Sequence, residues 1–252
     1  MMSCEEKIAA MKQRVFEANL ALPQYGLVKL TWGNVSEVDR ELGVIVIKPS
    51  GVRYERMQAD QMVVTDLSGN IIEEDSLKPS SDLPTHVVLY KAFEDVTAVT
   101  HTHSTHSVMW AQAGRDLPAY GTTHADAFYG KIPCTRQLTK EEVKEAYEVH
   151  TGNVIVETFK ERKLEPNEVP GVLVYGHGPF TWGHSPIEAV ENSLILDEIC
   201  LMAKENELIN PNICEIPQYL LDKHYFRKHG KHAYYGQYKF STDKVKKKIR
   251  EF

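Results

Sequence analysis

Thr97-Ala98-Val99-Thr100-His101-Thr102-His103 is a β-branched run closed by two imidazoles two residues apart. Strand side chains alternate with a period of two, so the run predicts a strand presenting His101 and His103 on one face at its end. Such a pair is a natural start for a metal site, and two polar residues on a solvated face is the plain alternative. His106 falls out of phase with them if Ser104 opens a helix through Ala113, which Gly114 would stop. A second strand, Gly171 to Tyr175, leads into Tyr175-Gly176-His177-Gly178-Pro179. Glycines on both sides let backbone approach closely and leave the His177 imidazole accessible. Asp82 stands beside Ser80 and Ser81 where a helix begins, and serves either as an oxygen ligand or as a cap. A set of His101, His103, His177 and a carboxylate with an exchangeable position suits catalytic Zn²⁺ or Mn²⁺.

Outward from these strands the pattern alternates but is not doubly wound. Gly43 to Lys48 and Met62 to Asp66 read as strands closed by turns, and Pro179 to Trp182 as another. Ser3 caps a first helix carrying Ile8, Met11, Val15 and Leu22 at helical spacing. Ser81-Asp82-Leu83-Pro84 and Thr139-Lys140-Glu141-Glu142 are helix starts. Ser185-Pro186 opens the longest helix, to about Asn206, and Tyr219 to Lys228 forms a last one before Gly230. Several strands are joined by turns alone, which predicts a central, mainly antiparallel β-sheet flanked by helices. No linker or repeat divides the body, so residues 1–240 read as one domain and 241–252, rich in lysine, as a basic tail.

The net charge of −6 over 252 residues gives no bulk attraction to nucleic acid. No apolar run approaches the ~20 residues that span a bilayer, and Glu5 and Glu6 interrupt any secretory core. The four cysteines are scattered without a C-x-x-C, which points to reduced thiols in the cytoplasm. No G-x-G-x-x-G or P-loop is present. Three short stretches, Trp32-Gly33-Asn34, Lys48-Pro49-Ser50-Gly51 and Lys78-Pro79-Ser80-Ser81, combine turn amides, hydroxyls and a lysine. Each alone is an ordinary turn, and together they fit an anion pocket.

These stretches, with His101-Thr102-His103-Ser104, Gly121-Thr122-Thr123-His124-Ala125-Asp126, His177-Gly178-Pro179-Phe180 and Ala233-Tyr234-Tyr235-Gly236-Gln237, resemble the class II aldolase/adducin superfamily. The Thr-Thr-His-Ala-Asp block and the terminal Tyr-Tyr-Gly-Gln are similar to its L-ribulose-5-phosphate 4-epimerase branch, over about residues 8 to 237. The resemblance implies a zinc ion, or another divalent metal, on His101, His103 and His177 with Asp82 at or near it. It implies a sugar phosphate held by Gly33, Asn34, Lys48, Ser50, Gly51, Ser80, Ser81 and Thr122. It implies Asp126 and Tyr235 as the proton-transfer pair, with His224 and Arg227 reaching a neighbour's site in a homotetramer. As bare sequence, Asp126 is equally a surface carboxylate, Tyr235 a packing residue, and His224 with Arg227 a solvated stripe.

The implied reaction inverts C4 of a 2-ketose 5-phosphate. The C4 hydrogen is β to the C2 carbonyl, so deprotonation there gains no enolate stabilisation. Breaking and remaking C3–C4 is the alternative, and it needs a Lewis acid, two acid/base groups and a grip on the phosphate. A class II aldolase acting on a related sugar phosphate would perform the same cleavage and release the fragments. A non-catalytic scaffold of the same superfamily would lack the metal ligands.

Overall fold

In the computed structural model, which describes residues 3–230 and 233–235, the histidine strand lies near the middle of one sheet. The strands are β1 (Asn34–Asp39), β2 (Val44–Ile47), β3 (Val63–Asp66), β4 (Ala98–His101), β5 (Gly171–Val174) and β6 (Gly178–Gly183). They form one six-stranded sheet in the order β3-β2-β1-β4-β6-β5. Each neighbouring pair is antiparallel. The helices are α1 (Cys4–Gln24), α2 (Leu83–Ala92), α3 (Thr105–Ala113), α4 (Thr122–Ala125), α5 (Lys140–Arg162), α6 (Pro186–Ile209) and α7 (Gln218–Lys228).

Both faces of the sheet are covered, which is why β2 reads Val-Ile-Val-Ile without a polar break. Val44 and Val46 pack with Met11, Val15 and Leu22 of α1. Ile45 and Ile47 belong to the opposite cluster, with Leu83 and Val87 of α2 and Ile155 and Phe159 of α5. Trp182 anchors that side at 1 % exposure. Its ring lies 5.3 Å from Phe93 and 5.2 Å from Phe159, and its Nε1–H donates to Pro166 O at 2.8 Å. Side chains of this size each stabilise by about 2 kcal/mol when fully buried. The caps at Ser3, Thr139 and Ser185 form as their sequences predict, each side chain accepting from the third helical residue's N–H.

Two elements depart from the sequence reading. β1 shows neither an apolar run nor a clean alternation, because polar Asn34 and Ser36 are buried in it along with Val35 and Val38, yet it sits between β2 and β4. Ser36 is tolerated there because Tyr90 and His86 satisfy its hydroxyl at 2.6 and 2.7 Å. The histidine strand stops at His101, short of the expected His103. Its pairing stops there on both sides: β1 begins with Asn34 opposite His101, and the register with β6 ends at Phe180 opposite His101, while β6 itself continues to Gly178 against β5. Past that point Ser104 is already the N-cap of α3. The Gly236-Gln237 end of the family-like block and the tail 241–252 lie outside the described residues. Among the described residues, no helix is long and apolar enough to cross a membrane.

Candidate active site

His101 ends β4, His103 lies two residues on, and His177 tops the turn between β5 and β6. Gly178 allows the turn to close on β4, since a Cβ there would lie 2.9 Å from Thr102 O. The ring centroids are 5.0 Å (His101–His103), 4.7 Å (His101–His177) and 5.2 Å (His103–His177) apart. One nitrogen from each of the three lies within 4.8 Å of the others. His103 therefore joins the group from the connection after the strand, not through strand periodicity.

The nitrogens are prepared to ligate. His101 Nδ1–H donates to Pro179 O at 2.9 Å, which leaves Nε2 as a bare lone pair. That Nε2 is buried and has no hydrogen-bond partner among the described residues. His177 Nδ1 meets Tyr147 Oη at 3.3 Å. Burial, then the His101 and His103 imidazoles, push His177 down to about 3. Burial, then His101, lowers His103 as well. Both are neutral donors at neutral pH, so the set fits a borderline divalent cation. Asp82 falls outside the 4.8 Å grouping but lines the same cavity. Burial alone would raise its carboxyl, but the His101 and His86 imidazoles, the Asn34 amide and His177 outweigh it and hold the group below the usual carboxylate range. Its Oδ2 accepts from Asn34 Nδ2 at 2.7 Å.

The cavity, about 420 Å³, continues from the histidines to Gly33, Asn34, Lys48, Ser50, Gly51, Ser80 and Ser81. The two serine loops are tied together, Ser50 N–H donating to Lys78 O and Ser80 N–H to Lys48 O at 2.9 and 3.0 Å. Those two amides are thus spent on the scaffold, and the Ser80 hydroxyl accepts from Asn34 Nδ2 at 3.0 Å. Gly33 has φ +76°, and a Cβ there would lie 2.6 Å from Val28 Cγ1 and 2.9 Å from His101 O. Lys48 is 2 % exposed. Its Nζ lies 3.3 Å from Pro49 O and 5.0 Å from the Tyr54 ring centroid, and no carboxylate pairs with it among the described residues. Burial lowers its amine to about 8. A buried cation without a counter-ion makes this end of the cavity a candidate anion site.

Tyr147 and Glu148 also line the cavity, and the sequence reading passed over both. Ala146 has φ −158° and ψ 74°, breaking α5 immediately before them. On a straight helix they would read as surface positions, so sequence carried no signal for them.

Asp126, Thr122, His224, Arg227 and Tyr235 do not line this cavity; His224 and Arg227 gather at the Asp126 carboxylate, and Tyr235 lies against Arg227. Arg227 donates to it through Nη2 at 2.9 and 2.8 Å, His224 Nδ1 lies 2.9 Å away and Lys228 Nζ 3.2 Å. The Arg227 guanidinium also lies 4.6 Å over the Tyr235 ring. Thr122 supplies its carbonyl to the Asp126 N–H at 2.9 Å. Burial pushes the Asp126 carboxyl up, but hydrogen bonds from Arg227, His224 and Lys228 prevail and lower it. His106 is not in the metal group; its Nδ1 and N–H meet Asp197 of α6, both at 2.9 Å.

The sheet and its cavity define a helix-flanked α/β protein with a three-imidazole centre beside a cationic pocket. The description "Class II Aldolase and Adducin N-terminal domain" matches residues 13–203, and the chain belongs to that family. Among solved structures it is similar to an L-fuculose 1-phosphate aldolase at 22 % identity and TM-score 0.72, covering 90 % of this chain and 97 % of that one. It is similar to the L-fuculose 1-phosphate aldolase from Glaciozyma antarctica PI12 at 17 % identity and TM-score 0.70, covering 92 % and 87 %. It is also similar to YgbL, a putative aldolase/epimerase/decarboxylase from Klebsiella pneumoniae, at 19 % identity and TM-score 0.66, covering 86 % and 98 %. At these identities the likeness is one of fold.

Proposed function

We propose that the protein is a metal-dependent L-ribulose-5-phosphate 4-epimerase acting as a homotetramer in the cytoplasm. The observation that carries this reading is Arg227, which grips Asp126 and covers Tyr235. It joins the two candidate proton-transfer groups into one unit, apart from the cavity holding the three imidazoles and Lys48. A site completed across a subunit contact accounts for that separation.

In this reading Lys48, the Ser50, Ser80 and Ser81 hydroxyls and the turns at Gly33 and Gly51 hold the phosphate. Thr122 and His224 contribute to substrate binding at the shared site. One of Asp126 and Tyr235 takes the proton of the C4 hydroxyl. The C3–C4 bond breaks, C4 becomes the aldehyde carbon of glycolaldehyde phosphate, and the bonding pair stays on C3, delocalised toward the C2 carbonyl. A Zn²⁺ or similar ion held by His101, His103 and His177, with Asp82 beside it, supplies Lewis-acid stabilisation of that charge. The bound phosphate keeps the aldehyde in place while it turns. Re-addition to its other face remakes C3–C4, and the second group returns a proton to the C4 oxygen from the opposite side.

Incubating the Zn²⁺-loaded protein with L-ribulose 5-phosphate tests the proposal. D-Xylulose 5-phosphate is the expected product. Free glycolaldehyde phosphate in equal amount to a three-carbon ketone would assign the chain to the aldolases instead, and no turnover would remove both readings.

A further inference from the structure

The three imidazoles are not held alike. His101 Nδ1–H donates to Pro179 O at 2.9 Å, and His177 Nδ1 meets Tyr147 Oη at 3.3 Å. The His103 ring makes no hydrogen bond among the described residues. Besides the other two imidazoles, its one aromatic contact is the Trp32 indole, 5.9 Å away between centroids and tilted by 41°. That separation falls within the 4.5–7 Å of attractive aromatic pairs. His103 also lies past the last paired residue of β4, so the sheet ladder does not fix it either.

Trp32 is held firmly by its backbone. Its N–H donates to Lys29 O at 3.1 Å, closing a turn in which Leu30 takes φ +57°. A left-handed conformation is uncommon for a leucine and persists only where the surroundings impose it. Tyr54 Oη–H shares its proton between Trp32 O at 2.6 Å and Gly33 O at 3.0 Å. Lys48 Nζ reaches Thr31 O at 3.5 Å. The chain is thus fastened on both sides of Trp32, while the indole stays 48 % exposed at the cavity. A ring left that open adds little to the core, so the strained turn serves to set it against His103.

We propose that Trp32 is a positioning residue that packs its indole against the His103 ring, holding that imidazole toward His101 and His177 and screening it from water. This rests on reading the three histidines as a metal centre. Groups behind ligating rings orient them, and the apolar shell of a metal site controls solvent access. For His103 the indole takes the place that Pro179 O and Tyr147 Oη hold behind the other two rings.

Competition against a chromogenic chelator measures the Zn²⁺ affinity. Trp32→Ala should bind Zn²⁺ about two- to tenfold more weakly, the range an aromatic pair contributes. Trp32→Phe, which keeps a ring beside His103, should recover most of that loss. Urea midpoints of the metal-free proteins should agree, because the indole is half exposed. A midpoint that falls in parallel with the affinity would reduce Trp32 to a structural role and overturn the proposal. Proximity is read on the unmutated protein by fluorescence. Trp110 and Trp182 are 6 % and 1 % exposed, so acrylamide-accessible emission comes from Trp32. Bound Co²⁺ should quench that emission; Co²⁺ uptake that leaves it unchanged overturns the proposal even if the Ala variant does not fold. Wild-type protein that takes up neither Zn²⁺ nor Co²⁺ would remove the metal-centre reading itself. Wild-type uptake matched by an equal affinity in Trp32→Ala would remove only the role of Trp32.

Discussion

Each imidazole of the candidate centre owes its state to a local contact. His101 is held by the Pro179 carbonyl, and His177 is carried on a turn that only a small residue at Gly178 lets approach β4. Because both contacts are made by main chain, deleting one imidazole should leave the scaffold standing. His177→Ala is therefore expected to lose stoichiometric Zn²⁺ by elemental analysis while its far-ultraviolet circular dichroism matches the parent. Retained metal at one ion per chain would show that His177 is not a ligand.

Among the elements, the α2–α5 contact decides where the carboxylate and His86 stand, since α2 starts directly after Asp82. That contact is close because α5 presents Gly152. A Cβ at Gly152 would lie 2.6 Å from Val88 Cβ and 3.2 Å from Thr85 O. Neither neighbour can yield cheaply, one being a β-branched side chain on a helix and the other backbone. Gly152→Val should cost about 1–3 kcal/mol by overpacking, read as a lower urea midpoint, and should weaken Zn²⁺ binding by tilting α2. An unchanged midpoint would mean the two helices part without penalty. The break at Ala146 works in the same pair, turning Tyr147 and Glu148 into the cavity from what would otherwise be a continuous helix.

At the scale of the whole molecule two consequences can be measured. If the Asp126–Tyr235 unit serves a neighbour's cavity, His101→Ala and Tyr235→Phe proteins should each be nearly inactive. Reassembled together in equal amounts they should regain activity in about a quarter of sites, one half times one half. No recovery after verified exchange would confine each site to one chain. The second consequence is acid sensitivity of the metal-free protein. Burial pushes His86 down to about 3 and His124 to about 4, against 6.5 for a free imidazole. The unfolded chain then binds more protons than the folded one between about pH 6.5 and 4. Stability is full above that window and falls as pH drops through it, by up to about 1.4 kcal/mol per pH unit for each histidine. Urea midpoints that stay level from pH 7 to 4.5 would contradict this.

What the sequence determined by itself was whatever local chemistry specifies. Ser3 and Thr139 set helix starts because a hydroxyl and a glutamate three positions on complete a hydrogen-bond pair within one turn, and Ser185 does so through its hydroxyl, which accepts from the Glu188 N–H. Gly43 to Lys48 and Gly171 to Tyr175 declared strands because both their faces are apolar. The His-x-His pair and the glycine-flanked His177 showed the centre, since their spacing is itself the signal. Only the tertiary structure decided the rest. β1 was hidden because the Asn34 amide N–H group and the Ser36 hydroxyl find their partners in Asp82, His86 and Tyr90, which lie tens of residues away. His103 joined the group from beyond the strand because both neighbouring strands end their pairing at His101. Asp126 and Tyr235 came together, apart from the histidines, because Arg227 binds one and covers the other. Partners so distant in sequence leave no periodicity along the chain, and only packing brings them within hydrogen-bond reach.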